Sequence, residues 1–313
     1  MKAIRIHKPG GPEVLRYEDT PLPEPKAGEV LIRVCAASVN PADWQMIIGN
    51  PPDRQYPWTP GYDVSGTVTE LGEGVSAYEV GDEVYGMLFP RPAGAYAEYA
   101  AVPISQIARK PESLSHIEAA SMPIVGLTAW QAILGAGELS AGQTVLIHSA
   151  AGGVGHIAVQ MAKWKGAHVI GVASGRNEAF LREIGVDKFI DYTTTRFEDV
   201  VHDVDVVLEM FGGDTVERSL KVLRKGGIYV SIKRAHTPEI AAQYGIQSKY
   251  ILAKSNTSDL DRIAQLIDSR SIKPHVSIVL PLRDARKAFE LSQDGHTRGK
   301  IVLQIAEERR EAI

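Results

Sequence analysis

The small residues in GQTVLIHSAAGGVGHIAVQMAK, residues 142–163, are spaced to grip a diphosphate. Val145, Leu146 and Ile147 read as a buried strand, Ala150 to Gly155 as a glycine-rich turn, and the run from about Val154 as a helix. In such units the first small residue makes the tight turn. The second lets the backbone approach a pyrophosphate, and the third lets helix and strand pack closely. Ala150, Gly152 and Gly155 take those three places. Gly153 and Val154 stand where the turn passes into the helix from about Val154, whose free N–H groups and positive dipole end favour an anion.

A second signal belongs about 20 residues on, where a carboxylate would hold the ribose 2′-hydroxyl of NAD. The stretch VASGRN, residues 172–177, has no carboxylate, and Ser174 and Arg176 can instead hydrogen-bond and neutralise a 2′-phosphate. That predicts NADPH, although Arg176 also fits an ordinary surface residue at a helix start. Tyr192 ends the next strand, FIDY at 189–192, and projects to the same rim.

Positioning these residues takes a parallel sheet, and the middle of the chain has its pattern. Strand-like runs at 144–148, 168–173, 188–191, 205–210, 228–232 and 250–253 alternate with helical runs such as 157–165 and 215–223. This predicts a complete doubly wound α/β domain. Before it, short β-like runs at 2–7, 29–36, 66–71, 82–87 and 96–102 sit among many Pro and Gly residues. After a helix at 258–269, the tail (strand 275–280, helix 283–292, strand 300–305) resembles the N-terminal region more than the middle of the chain. The expected domains are therefore 1–122 with 272–313, mostly β, and 123–271, the nucleotide domain.

Composition narrows the partners. With 34 Lys and Arg against 38 Asp and Glu, the net charge of -4 is dispersed along the chain, which argues against nucleic acid and anionic membrane. Cys35 is the single cysteine and sits in a strand, so neither a disulfide nor a multi-cysteine zinc or iron–sulfur site can form within the chain. A reducing cytoplasm fits, and neither a hydrophobic signal region nor an apolar run of about 18 residues is present. The nine histidines show no ligand spacing; His148, just before the turn, reads as packed or backbone-bonded.

The run 142–163 resembles the signature of zinc-independent quinone oxidoreductases in the medium-chain dehydrogenase/reductase superfamily. The likeness extends over GEVLIRV at 28–34, ASVNPAD at 37–43, PGYDVSG at 60–66, LGEGV at 71–75, VGDEVYG at 80–86, GLTAW at 126–130, GGD at 212–214 and GHTRGKIVL at 295–303. It implies a Rossmann domain joined to a GroES-like catalytic domain, a homodimer formed through edge strands near 228–232, and no metal. Zinc alcohol dehydrogenases of the superfamily place a Cys ligand shortly before an Asp, and a His-Glu pair after a glycine. The matching stretches here are SVNPAD at 38–43 and GYD at 61–63, so Asn40 or a neighbour stands for the thiolate and Tyr62 for the imidazole.

Without a Lewis acid, oxidation of a simple alcohol loses transition-state stabilisation, whereas a quinone or enone spreads the developing charge by conjugation. The resemblance thus implies NADPH-dependent reduction of a quinone, with an enone, enal or enoyl thioester as the alternative, in a largely dry cleft between lobes. A crystallin-like NADPH-binding protein without turnover is the reading from another class. Asn40 and Thr128 are expected near the nicotinamide, with Phe211, Gly212 and Ile232. Tyr62 is a candidate proton donor. Each has a plainer reading: Asn40 as a turn residue, Asp43 as a helix cap, Thr128 bonded within its helix, Tyr62 as packing. Trp44, Met46, Ile47, Tyr56, Trp58 and Phe89 fit either a pocket lining or ordinary core.

Overall fold

The computed structural model describes residues 1–49, 55–89, 94–233 and 238–306; His236 and the charged run 307–311 lie outside them. In chain order the strands are β1 (Lys2–Ile6), β2 (Leu15–Asp19), β3 (Glu29–Val39), β4 (Asp63–Leu71), β5 (Glu83–Met87), β6 (Tyr99–Pro103), β7 (Ile107–Arg109), β8 (Thr144–Ile147), β9 (His168–Ala173), β10 (Lys188–Asp191), β11 (Val204–Glu209), β12 (Leu223–Ser231), β13 (Gln247–Tyr250), β14 (Val276–Pro281) and β15 (Lys300–Gln304). The α-helices are α1 (Pro41–Ile48), α2 (His116–Ala120), α3 (Pro123–Ala129), α4 (Gly153–Trp164), α5 (Glu178–Glu183), α6 (Thr215–Lys221), α7 (Pro238–Gln243), α8 (Thr257–Asp268) and α9 (Ala285–Gln293). None among the described residues is long and apolar enough to cross a membrane.

The chain divides into two compact units. The first comprises Met1–Ile124, Ser255–Asp268 and His275–Ile313. Its main sheet runs β14-β15-β3-β4-β5-β7, with β6 also on β3. The 11 residues of β3 are enough to share one edge between two partners. Residues 29–33 pair with β6 and 36–39 with β15. β3 runs three residues past the expected end because Ala37, Ser38 and Val39 are small or β-branched and buried. That extension delivers Asn40 to the start of α1. Tyr96 and Phe289 meet edge to face at 5.9 Å in the core beneath. β2 and β7 give little sequence signal: LRYED is mostly polar and pairs only with β1, and β7 is three residues long.

The second unit comprises Val125–Lys254 and Ser269–Pro274. Its six strands are parallel in the order β10-β9-β8-β11-β12-β13. The chain builds outward from β8 through β9 to β10, then returns to β11 on the other side. The reversal between β8 and β11 is where doubly wound sheets bind ligands, outside the carboxyl ends of the strands.

Three expectations are corrected. The last parallel strand is Gln247–Tyr250 rather than 250–253, in register with Ile228 to Ser231; of the apolar YILA run only Tyr250 is in the strand, Ile251 makes one last bond to Ser231 O at 3.0 Å, and Leu252 is 73% exposed. Residues 228–232 are not at an edge, because β12 lies between β11 and β13; the end strand on that side is β13, and β10 ends the other side. Helix α8 groups with the first unit, where Leu260 O accepts the Tyr85 hydroxyl at 2.7 Å and Asp268 accepts the Ser113 N–H at 3.0 Å.

Candidate functional site

At the end of β8 the turn is strained at one residue. Ser149 has φ 47° and carries the tight bend, while Ala150, still in the turn, donates its N–H to Val172 O at 3.0 Å. The bend therefore falls one position before the one the glycine pattern suggests. Gly152 sits at the N-cap of α4 with no side-chain cap, leaving the first-turn N–H groups of Gly153, Val154 and Gly155 for a ligand. A Cβ on Gly155 would stand 2.1 Å from Ser149 O and 2.8 Å from Ala150 Cα, so only glycine lets the helix rest on the turn. An uncapped three-turn helix start against a bare backbone turn fits a pyrophosphate.

Ser174, Arg176 and Tyr192 follow β9 and β10 on the same sheet edge. Ser174 Oγ accepts the Asn177 side-chain amide at 3.1 Å. Tyr192 is tied by its N–H to Ala173 O at 3.2 Å, and its ring is 60% exposed. Phe211 and Gly212 follow β11 and are organised by a residue the sequence did not single out. The fully buried Glu209 carboxylate accepts the Phe211 N–H at 2.6 Å, the Gly212 N–H at 2.9 Å and the Thr215 hydroxyl at 2.9 Å. Ile232 closes the row after β12, its N–H on Glu209 O at 3.2 Å. Thus 150–155, 174–176, 192, 211–212 and 232 all lie at the carboxyl ends of neighbouring strands. Thr128 is buried within α3. His148 is packed edge-on to Phe197 at 4.8 Å with Nε2 2.9 Å from Ser219 Oγ, and burial pushes its imidazole down to about 4.

The first unit brings Asn40 and Tyr62 together around a buried charge cluster. The Asp43 carboxylate accepts the Asn40 N–H at 2.7 Å, the Tyr62 N–H at 3.1 Å and the Tyr96 hydroxyl at 3.0 Å. The Asn40 amide is held at both ends. Its Nδ2 donates to Asp63 at 2.8 Å and its Oδ1 accepts from Lys300 Nζ. Asp63 also accepts the Ser38 hydroxyl at 2.6 Å and the Ile124 N–H at 2.8 Å; Lys300 also donates to Val39 O at 3.0 Å. All of these side chains are buried. Burial drives Asp43 up to about 7, with the neighbouring Asp63 charge adding to it. Burial also raises Asp63 and lowers Lys300. Two carboxylates facing one ammonium are one positive charge short, and a proton held by Asp43 near neutrality supplies it.

Tyr62 is 8% exposed and anchored through its backbone, with Tyr62 O accepting the Leu88 N–H at 2.6 Å. Of the six expected pocket residues, Ile47 and Trp58 belong to the core, and Trp44, Met46 and Tyr56 pack on it. Phe89 is 53% exposed. Among the described residues no three or more His, Cys, Asp or Glu side chains gather as metal ligands.

Residues 26–112 match the model of the alcohol dehydrogenase GroES-like domain, and 184–303 that of zinc-binding dehydrogenase. A mitochondrial NAD(P)H oxidoreductase of Mus musculus is 33% identical over 97% of this chain and 89% of its own length. A chloroplastic NADPH-dependent alkenal/one oxidoreductase of Arabidopsis thaliana is 34% identical over 97% of this chain and 79% of its own. The solved quinone oxidoreductase from Coxiella burnetii superposes with a TM-score of 0.92 at 38% identity, covering 98% of this chain and 99% of that one. The chain belongs to the quinone oxidoreductase-like family of medium-chain dehydrogenases/reductases. Membership makes it an oxidoreductase of the nicotinamide-nucleotide type, with a GroES-like domain and a Rossmann-like domain. The motif residues 150–155, 174–176, 192, 211–212 and 232 share the carboxyl ends of the parallel strands. The side chains that hold the rest in place, Asp63, Tyr96, Glu209 and Lys300, lie outside the spacing rules that found them.

Proposed function

We propose that this oxidoreductase transfers hydride from NADPH to a quinone or a similarly conjugated carbonyl, without zinc. The observation that carries the metal-free reading is the cluster at Asn40, Asp43, Asp63 and Lys300. An ammonium already faces the buried carboxylates, and by resemblance Asn40 or a neighbour replaces the Cys, and Tyr62 the His, of the superfamily's zinc enzymes. A buried site balanced in this way has no vacancy for a divalent cation. NADPH, when bound, supplies the hydride. The chain's residues do the holding: α4's first turn and the 149–152 bend take the pyrophosphate, and Ser174, Arg176 and Tyr192 take the 2′-phosphate. In the second unit Glu209 sets the loop carrying Phe211 and Gly212, which with Ile232 and Thr128 are the candidates to orient the nicotinamide; in the first unit the candidate is Asn40. Tyr62 is the candidate proton donor; water serves equally for a quinone.

Similarity to the Coxiella quinone oxidoreductase supports a quinone; similarity to the Arabidopsis alkenal/one oxidoreductase supports an enone or enal. Steady-state oxidation of NADPH and NADH against panels of both acceptors decides between them, and zinc chelation tests the metal. Turnover with quinones, undiminished by chelator and faster with NADPH, is expected. Silence on both panels with NADPH still bound would leave a binding protein. Arg176→Ala should weaken NADPH about tenfold or more relative to NADH, the size of a lost charged phosphate contact; equal loss for both would remove the clamp. We assign the chain to the cytoplasm and expect a homodimer, now through the β13 edge, which sedimentation of the monomer mass would refute.

A further inference from the structure

The loops after β9 and β10 are tied together by one side chain. Asp191, the last residue of β10, uses Oδ1 to accept the Thr193 N–H at 2.9 Å and the Thr193 hydroxyl at 2.7 Å. Its other oxygen faces Gly175, whose N–H also donates to the carboxylate. A Cβ on Gly175 would stand 2.5 Å from Asp191 Oδ2. The φ of Gly175 is not in the left-handed region, so its backbone does not require glycine; a Cβ there would instead push the Asp191 carboxylate out of the bridge. Glycine and carboxylate are fitted to each other.

The consequence reaches the residues on either side. Gly175 lies between Ser174 and Arg176, and Thr193 follows Tyr192, so the Asp191 bonds clamp both loops that carry the proposed 2′-phosphate ligands. Ser174 Oγ acts as acceptor toward Asn177, which leaves its one hydroxyl proton to be donated elsewhere. Three of about four acceptor positions on the Asp191 carboxylate are taken by protein donors, so it is poorly placed to hold a ribose hydroxyl as the NAD-type carboxylate does. Its donors also hold it below the usual carboxylate range, so it is an anion at neutral pH. An anion cannot ligate a phosphate. It can only position the groups that do.

We propose that Asp191 is a positioning residue for cofactor choice: by bridging Gly175 and Thr193 it sets Ser174, Arg176 and Tyr192 to receive the 2′-phosphate of NADPH. This rests on the NADPH reading proposed for the site. Two effects of removing Asp191 oppose each other, which makes the test sharp. Losing the bridge disorders the donors and weakens NADPH, whereas losing a nearby negative charge strengthens it.

The experiment is a fluorescence titration of the full chain with NADPH and with NADH, for wild type, Asp191→Ala, Gly175→Ala, the double variant and Arg176→Ala. NADH affinity serves as the internal measure of folding. Asp191→Ala is expected to lower the NADPH:NADH affinity ratio about tenfold while NADH binding stays within about twofold. Gly175→Ala should lower it similarly, and the double variant should fall no further than Asp191→Ala alone, because both break one bridge. A ratio that is unchanged or raised in Asp191→Ala overturns the proposal, as do losses that simply add. If Arg176→Ala lowers the ratio and Asp191→Ala does not, positioning fails while the phosphate clamp stands. If neither lowers it, the NADPH reading falls as well.

Discussion

Replacing Gly155 by Ala sets two opposed effects against each other within the dinucleotide turn. In a helix interior Ala is favoured over Gly by about 1 kcal/mol, so propensity alone predicts a gain. The new Cβ, however, would stand 2.1 Å from Ser149 O and 2.8 Å from both Ser149 C and Ala150 Cα. All three are backbone atoms, and relief requires roughly an ångström of movement between α4 and the turn. The turn resists, since Ala150 is paired to Val172 O at 3.0 Å and Gly152 to Ser149 O at 2.8 Å. Overpacking of this kind costs about 1–3 kcal/mol, and with immovable neighbours the upper end applies, leaving a net loss of about 1–2 kcal/mol. Gly135 is the control: it is exposed in the helical segment Trp130–Ala136, and a Cβ there meets nothing within 4 Å. Gly135→Ala should stabilise by a few tenths to about 1 kcal/mol. Guanidinium unfolding followed by the fluorescence of Trp130 and Trp164, both in the second unit, reads each change. Because the turn holds the part common to both cofactors, Gly155→Ala should weaken NADPH and NADH alike, unlike Arg176→Ala. A Gly155→Ala protein as stable as wild type, with unaltered cofactor affinity, would refute the packing argument.

Lys300→Met removes the ammonium that faces the Asp63 carboxylate and donates to Asn40 Oδ1, leaving an uncompensated buried charge; a loss of about 3–5 kcal/mol is expected in urea unfolding, and a loss under about 1 kcal/mol would contradict it. The two units should also answer pH with opposite signs. Asp43 has its folded value raised to about 7, so between about 4 and 7 the folded state holds more protons than the unfolded one and the first unit loses stability as pH rises. His148 has its folded value lowered to about 4, so between about 4 and 6.5 the unfolded state holds more protons and the second unit loses stability as pH falls, by up to about 3 kcal/mol. Hydrogen exchange resolved by segment separates the two, and Asp43→Asn and His148→Gln should each flatten the slope of their own unit alone.

The parallel sheet was legible because its signals are local. An apolar tetrad, a small-residue turn and a helix occupy one stretch in 142–163, and each later strand end places its candidate residue by counting along the chain. What was not legible depends on distance or on neighbours. Asn40 and Lys300 are 260 residues apart, and only the pairing of β3 with β15 brings them together. Within the turn, the glycine template puts the bend at Ala150, but φ 47° falls on Ser149 because Ala150 is held by β9. The final strand departs from expectation for a similar reason: YILA is the more apolar run, yet the register is set by residues 228–231, which pair with QSKY. Edge strands need only one partner and little burial, so their composition says least about where they begin.

The two ways of holding a charge in this fold explain why motif reading finds one site and misses the architecture of the other. At the proposed nucleotide rim the charges to be met would arrive with the ligand, so the chain supplies backbone N–H groups and small residues, and glycine spacing records them directly. In the first unit the charges are the protein's own. Asp43, Asp63 and Lys300 are buried at a cost that only mutual contact and the hydrogen bonds of Ser38, Asn40, Tyr62 and Tyr96 offset. Such a set needs each partner in place, and its members come from β3, α1, β4 and β15 together with Tyr96. Asn40 is central to it: with Nδ2 on Asp63 and Oδ1 on Lys300, the orientation of its amide is fixed by two opposite charges. Whatever Asn40 contributes to hydride transfer is therefore contributed from a single orientation. Altering Asp63 or Lys300 would release one end of that amide, so the proposed role of Asn40 should be lost with either partner.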